Sequence, residues 1–551
     1  MFGIMYADSK KAKTGLNLES DNKAHVVKFS DDNFIFEDDD YKIAVEGYVL
    51  NSDEILLETG CSSLKNAILN FAKTDDQKIA QTFKGSFVIV IEDKKNQVAK
   101  VINDLLSKKP VYFYQSGECF AFSTSFLELA DQVKADGIKL TLNPIASQMM
   151  LRKGELYEDV TYANEISYLM PFQWLKWENG LFIMEIPRPE PLINVSQQEA
   201  ISELDRRFEK ACRLQYQKNA SAGYKQVNSL SGGMDSRAVF LYGQKLGYQH
   251  QFCFTYAESG SMDQKIAQRI ARDFGCEHVF HAIDQGNFML NREAMIQANE
   301  GQVYYAATTG LWGFIQSQDT SNFGLVHTGS GGGEIMGDII FDLRTDEENE
   351  SHFQQFIDVL NISDQIRRDE LKHTVKNRYR SYNEFVSLNF LRACLDFPRI
   401  SQNYFEVASP FLYEDFFCYA ISLPADMKLI RQLYRAWYNQ CIPNNYKTTK
   451  FWGKMDCSKL AYFIKKDVIM NLKNRLHIKS KYDMNPFNYW WKSNPELRQG
   501  LDRMFAEDIE CLSGIGEKLK GSLVEVYKKN LKSKAYALTV SWIIKRMGFA
   551  S

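Results

Sequence analysis

Between residues 225 and 283 the chain alternates short apolar runs with amphipathic ones, and nothing else in the sequence constrains its fold so tightly. "KQVNSL" reads as a short strand, and "SRAVFLYGQKLG" as a helix closed by Gly247. "HQFCFTY" is a second strand, "SMDQKIAQRIARDFG" a helix closed by Gly275, and "EHVFHAI" a third strand. Strands that alternate with helices require a parallel sheet covered on both faces. The first turn of this unit, within "SLSGGMDSRAVF" at residues 229–240, sits at the carboxyl end of a strand and opens a helix. Open α/β sheets bind ligands at that place.

The residues of the turn suit a nucleotide. Gly232 and Gly233 carry no side chain, so backbone N–H groups can approach an anion, and the helix dipole adds to the attraction. Ser231 and Ser236 offer hydroxyls. Asp235 is the informative residue, because a carboxylate beside a phosphate is repulsive unless a cation lies between them. The pattern therefore suggests ATP with Mg²⁺, and the lack of "GK[ST]" excludes a Walker loop. A plainer alternative makes Asp235 or Ser236 an ordinary helix cap in a glycine turn.

The chain has 551 residues, enough for two or three domains, and 45% hydrophobic residues with 13% aromatics supply large cores. The first ~190 residues read as strand-rich, with "SFVIVIED" as a strand buried on both faces and "KPVYFY" and "ECFAFSTS" as a hairpin pair. "IPRPEPLINV" reads as a linker, and Ser196 with Glu199 forms a capping-box signature before Ile201, Leu204, Phe208 and Ala211 at helical spacing. These signals divide the chain into domains at 1–190 and 196–551. After ~340 the pattern is mostly helical.

A formal net charge of −3 gives no reason to expect nucleic acid or an acidic membrane as partner. The first residues show no basic start followed by an apolar core, and no apolar run is long enough to span a bilayer. The ten cysteines are scattered singly, as suits reduced thiols, so the expected location is cytoplasmic. His278 and His281 are three residues apart, but nothing nearby completes a metal set.

"SGGMDS" resembles the pyrophosphate-binding motif of ATP pyrophosphatases, in particular that of the asparagine synthetase superfamily. Other segments follow in the family's order. "FKGSFVIVIED", "NDLLSKKPVYFY" and "FAFSTSFLELA" are similar to its glutaminase domain, and "VHTGSGGGEIMG" and "ASPFLYEDFFCYAISLP" to its synthetase domain. The resemblance implies an α+β N-domain of two antiparallel sheets between helices. It implies next an α/β parallel-sheet ATP-pyrophosphatase domain with a helical C-terminal part. It also implies chemistry in which a carboxylate attacks the α-phosphate of ATP, pyrophosphate leaves, and a nitrogen nucleophile displaces AMP from the acyl-adenylate.

The departures sharpen this expectation. A class II glutaminase uses a cysteine at the mature N-terminus, whereas here Met1 precedes Phe2 and the first cysteine is Cys61. "VEGYVLN" stands where the family has its glutamine-holding "N-G-E". The resemblance is therefore to the branch without glutaminase activity, that of β-lactam synthetases and lasso-peptide cyclases. It implies a ligase that joins a small-molecule or peptide acid to an amine of the same substrate, and it leaves room for a biosynthetic partner protein. An ammonia-using amidating enzyme and a catalytically degenerate nucleotide-binding scaffold stay open.

Carried over by position, the ATP-binding residues are Leu230, Ser231, Gly232, Gly233, Asp235, Ser236, Tyr256, Thr328 and Gly329. The metal ligands are Asp235 and, one residue after the family's second acid, Glu334. Gly333 holds the place of that acid, so Glu334 reads either as a shifted ligand or as a helix-start charge. Ser330 occupies the position usually held by Glu or Tyr, and Lys450, with Lys454 as its alternative, the position of the catalytic lysine.

Overall fold

In a computed structural model, residues 2–6, 15–19, 28–74, 77–117, 119–307, 310–443, 446, 481–512 and 516–549 are described. Their strands form three sheets, two antiparallel and one parallel. The first antiparallel sheet runs Gly15–Glu19, Phe2–Tyr6, Cys119–Ser123, Tyr112–Ser116, Ile166–Tyr168. The second has six strands in the order Leu181–Glu185, Gln173–Trp177, Val98–Asn103, Gly85–Asp93, Tyr41–Val49, Phe34–Glu37. Gly85–Asp93 lies inside that sheet and is buried along nearly its whole length, which is why its sequence is a continuous β-branched run rather than an alternating one. Val88, Val90, Phe120, Phe122, Leu175 and Trp177 fill the space between the two sheets.

Residues 186–196 carry neither helix nor strand, and then the helix Gln197–Ser221 begins. Ser196 caps it: its Oγ accepts from the Glu199 N–H while Glu199 accepts from the Ser196 N–H, the reciprocal arrangement of a capping box. Leu204, Phe208 and Ala211 line its buried face.

The parallel sheet has five strands in the order Glu277–Ala282, Phe252–Ala257, Lys225–Ser229, Phe323–His327, Glu406–Ala408. Every neighbouring pair is parallel. The chain goes outward from Lys225–Ser229 in one direction and then returns to lay Phe323–His327 on the other side. The strand order therefore reverses between these two strands, and a crevice opens beyond their carboxyl ends. Residues 230–236 follow one of the strands and residues 328–333 the other.

The two regions are clamped together near this crevice. The Tyr48 hydroxyl donates to the Val407 carbonyl at 2.8 Å, and Lys108 Nζ bonds Glu414 at 2.8 Å. Lys109 lies between Glu46 at 3.4 Å and Glu406 at 3.2 Å. No helix of the described residues is long and apolar enough to cross a membrane.

Candidate active site

The turn predicted to bind ATP is held from below. Leu230 is buried, its N–H donates to the Phe254 carbonyl at 2.9 Å, and its own carbonyl accepts from Thr255 Oγ1 at 2.6 Å. Thr255 Oγ1 also lies 2.9 Å from His278 Nε2. His278 is thus a buttress of the loop, and burial pushes its imidazole down to about 4. Above this layer the Ser231 N–H donates to Ser236 Oγ at 3.0 Å, and the two serine hydroxyls are 2.9 Å apart. The Gly233 N–H donates to Ser231 Oγ at 3.1 Å, and the Gly232 N–H to Asp263 Oδ1 at 3.0 Å.

The helix Met234–Lys245 starts here with Gly233 as its N-cap and no side-chain cap bond. Its first turn therefore presents N–H groups without a side-chain acceptor, the usual setting for an anion. Asp235 lies in that turn and accepts from the Tyr434 hydroxyl.

Residues 328–333 press against the same turn. A Cβ on Gly329 would stand 2.4 Å from the Ser236 nitrogen, and one on Gly332 2.8 Å from Asp235 Oδ1. The Thr328 hydroxyl donates to Ser330 Oγ at 3.2 Å, and Ser409 Oγ donates to the Ser330 carbonyl at 2.7 Å. Glu334 begins the short π-helical turn Glu334–Asp338 and is half-buried. Burial and then the Asp235 carboxylate raise its pKa, while Arg431 acts in the opposite sense. The structure thus brings Asp235 and Glu334 into each other's field across the crevice.

Gly333 faces Arg431: a Cβ there would lie 2.7 Å from Arg431 Nη2 and 3.2 Å from Asp338 Oδ2. Arg431 pairs with Asp338. Its position depends on unusual backbone, since Ile430 and Arg431 both have left-handed φ, 53° and 57°. Such conformations are strained for a β-branched residue and cluster at functional sites. Gly337, at φ 140°, lets residues 428–431 approach so closely that a Cβ would meet the Lys428 carbonyl at 2.3 Å.

Tyr256 lies on the strand Phe252–Ala257, with its ring beside Gly310. Lys450 and Lys454 lie outside the described residues. The sequence reading missed Tyr434, Asp263, Thr255, Arg431 and Asp338. Leu433, Tyr434, Trp437 and Tyr438 mark a buried helical face, but spacing alone does not say that Tyr434 meets a loop two hundred residues earlier.

A buried histidine, His327, gives a pH dependence with a definite sign. His327 stacks on Tyr216 with centroids 3.9 Å apart, and burial pushes it down to about 3. It folds neutral, so its contribution is complete above the unfolded value near 6.5 and is lost as pH falls toward 3. Asp104 and Asp396, pushed up by burial to about 6 and about 7, act in the opposite sense over the same range. The quantity to measure is therefore the stability difference between the parent and His327→Phe, which keeps the stacked ring. We expect that difference to shrink between pH 6.5 and pH 4 in denaturant titrations, and a constant difference would contradict a neutral buried imidazole.

Residues 203–446 match the family model described as asparagine synthase. That segment contains both crevice loops, Asp235, Glu334, Arg431 and Tyr434. The match supports ATP-dependent carbon–nitrogen bond formation in general terms. No curated protein matches the chain. Among solved structures, it is similar to glutamine phosphoribosylpyrophosphate (PRPP) amidotransferase from B. subtilis complexed with ADP and GMP. The identity is 11% and the TM-score 0.21, over 50% of this chain and 78% of that one. It is also similar to the allosteric regulatory enzyme of purine biosynthesis, at 11% identity and a TM-score of 0.20, over 45% of this chain and 62% of that one. Scores this low do not define a shared architecture.

Proposed function

We propose that the chain is an AMP- and pyrophosphate-forming ligase that makes an amide through an acyl-adenylate. In this reading the amine comes from the substrate itself, as in a lactam, macrolactam or peptide cyclase of the β-lactam synthetase and lasso-peptide cyclase branch. The observation that supports the reading is the abutment of two loops where the strand order reverses: a Cβ on Gly332 would stand 2.8 Å from Asp235 Oδ1, and these loops carry Asp235 and lead into Glu334.

Their donor chemistry fits Mg²⁺. The cation prefers carboxylate oxygen, and in nucleotide sites it takes one or two carboxylates together with phosphate oxygens. Bound there, Mg²⁺ would neutralise phosphate charge. The protein's part is to orient and to exclude water. Tyr434 fixes the Asp235 carboxylate, and the uncapped first turn of Met234–Lys245 faces the phosphates. Phosphate oxygens would compete with Asp263 and Ser231 for the Gly232 and Gly233 N–H groups. Leu230, Tyr256, Thr328 and Gly329 would surround the nucleoside, with Ser330 toward the acid. Arg431, beside Glu334, and Lys450 are the cations proposed to meet charge that develops as pyrophosphate departs.

The segment that holds glutamine in working amidotransferases has another use here. Glu46 engages Lys109, and the Asn51 side chain bonds the Thr82 carbonyl at 2.9 Å and the Lys84 N–H at 2.8 Å. This favours a substrate amine over glutamine as the nitrogen source.

The test is Glu334→Gln. We expect it to weaken Mg-ATP binding about tenfold or more, as loss of a charge-assisted contact does, in step with Asp235→Asn. Parent-like affinity measured by titration calorimetry would reduce Glu334 to a helix-start charge and leave a single-acid site.

A further inference from the structure

A cavity lies where the N-terminal sheets meet the parallel-sheet domain, and Thr328 and Ser330 of the candidate active site form part of its wall. Lys109, Gln215, Arg399 and Glu406 also line it. The lysine is committed, because Lys109 lies between Glu46 and Glu406. Arg399 is different. It is 3% exposed, and its one side-chain hydrogen bond among the described residues runs from Nη2 to the neutral Tyr112 hydroxyl at 3.0 Å. Its Nε and Nη1 are buried without a partner. Two carboxylates lie within its field, and neither has a hydrogen bond to it: Glu300 is engaged elsewhere, and Asp396 is engaged through Oδ1 while its Oδ2 is buried without a partner. Glu300 accepts from the Phe126 N–H at 3.0 Å and from Ser125, and Asp396 accepts from Asn299 at 2.9 Å.

A buried guanidinium with two idle donors is costly unless something pairs with it. Adjacent donors of a guanidinium fork match the two oxygens of a carboxylate. The same wall holds the converse defect: Gln215 is 1% exposed, and its Oε1 is a buried acceptor with no donor. One side therefore asks for a carboxylate and the other for an N–H.

We propose that this cavity binds the amino-carboxylate end of an amino-acid-type compound, carboxylate on Arg399 and amine toward Gln215, beside Ser330. The inference rests on the amide-forming reading for its purpose, since it places an amine next to the acyl-transfer site. There the nitrogen lone pair would form the C–N bond, the acyl–phosphate C–O bond would break, AMP would leave with that electron pair, and the amine would release one proton to solvent. The binding itself is independent of ATP.

The experiment titrates the full-length chain, without nucleotide, against glycine, alanine, serine, aspartate, glutamate and lysine. Alaninamide serves as the probe that lacks a carboxylate. We expect saturable heat with at least one amino acid, loss of about tenfold or more in affinity in Arg399→Met, and a similar loss in Gln215→Leu. Alaninamide should bind more weakly than alanine in the parent, and Mg-ATP affinity should stay within about twofold in both variants. If Arg399→Met does not fold, Gln215→Leu and the comparison of alanine with alaninamide still decide. No binding of any of the six amino acids, binding unchanged in the variants, or equal binding of alanine and alaninamide would overturn the proposal and leave the cavity to ordered water. A chain that binds amino acids but not Mg-ATP would instead overturn the ligase reading and leave this site standing.

Discussion

Asp235→Asn loses Mg-ATP. The substitution keeps the size of the side chain and an oxygen for the Tyr434 hydroxyl, so the helix Met234–Lys245 and the loop before it should keep their form. It removes a negative charge that acts on Glu334. A charge-assisted contact is worth ~2–3 kcal/mol, so the dissociation constant of Mg-ATP should rise about 30- to 150-fold. Removing the Asp235 charge also relieves Glu334, whose pKa should fall toward the ordinary carboxylate range. Titration calorimetry with and without Mg²⁺ measures the first effect. Equal affinity in parent and variant would remove Asp235 from the metal site.

Gly329→Ala should be nearly as damaging, and for a steric reason. The new methyl would lie 2.4 Å from the Ser236 nitrogen, 2.6 Å from the Asp235 carbonyl carbon and 2.7 Å from Asp235 Cβ. All three belong to the first turn of one helix, so no flexible side chain can swing aside. Overpacking of this kind costs ~1–3 kcal/mol. The relaxation that is open, separation of the two crevice loops, moves Asp235 away from Glu334. We expect a lower unfolding midpoint together with loss of Mg-ATP affinity by about tenfold or more. Gly521→Ala is the control. It lies in the helix Glu517–Tyr527 with nothing within 4 Å of its Cβ position, so it should leave binding alone and stabilise by ~0.5–1 kcal/mol. Parent-like stability and binding in Gly329→Ala would mean that the loops do not abut as described.

Local chemistry made the strand, turn and helix of the candidate site legible. Gly232, Gly233 and Asp235 announce themselves because a strand, a glycine turn and a helix are adjacent in sequence and share one short-range logic. The same holds for the Ser196–Glu199 cap and for the buried run Gly85–Asp93. Contacts that depend on chain reversal were not legible. The Tyr434 hydroxyl reaches Asp235 across 199 residues, and Gly232 meets Asp263 across 31. The strand Glu406–Ala408 has three residues, too few for any periodicity. Arg431 was hidden for another reason: left-handed φ at Ile430 and Arg431 contradicts their local preference, and such strain is set by tertiary packing alone. Gly333 shows the limit of motif transfer. Its missing acid is legible in sequence, but only the structure places Arg431 and Asp338 in the space beside it.

The most direct measurement of the central claim is a crystal structure of the chain with Mg²⁺ and an ATP analogue whose α,β bridge is a methylene group. The account predicts phosphates at the start of the helix Met234–Lys245, with one magnesium ion about 2.1 Å from a carboxylate oxygen of both Asp235 and Glu334. Nucleotide bound elsewhere, or a magnesium ion that touches neither carboxylate, would contradict it.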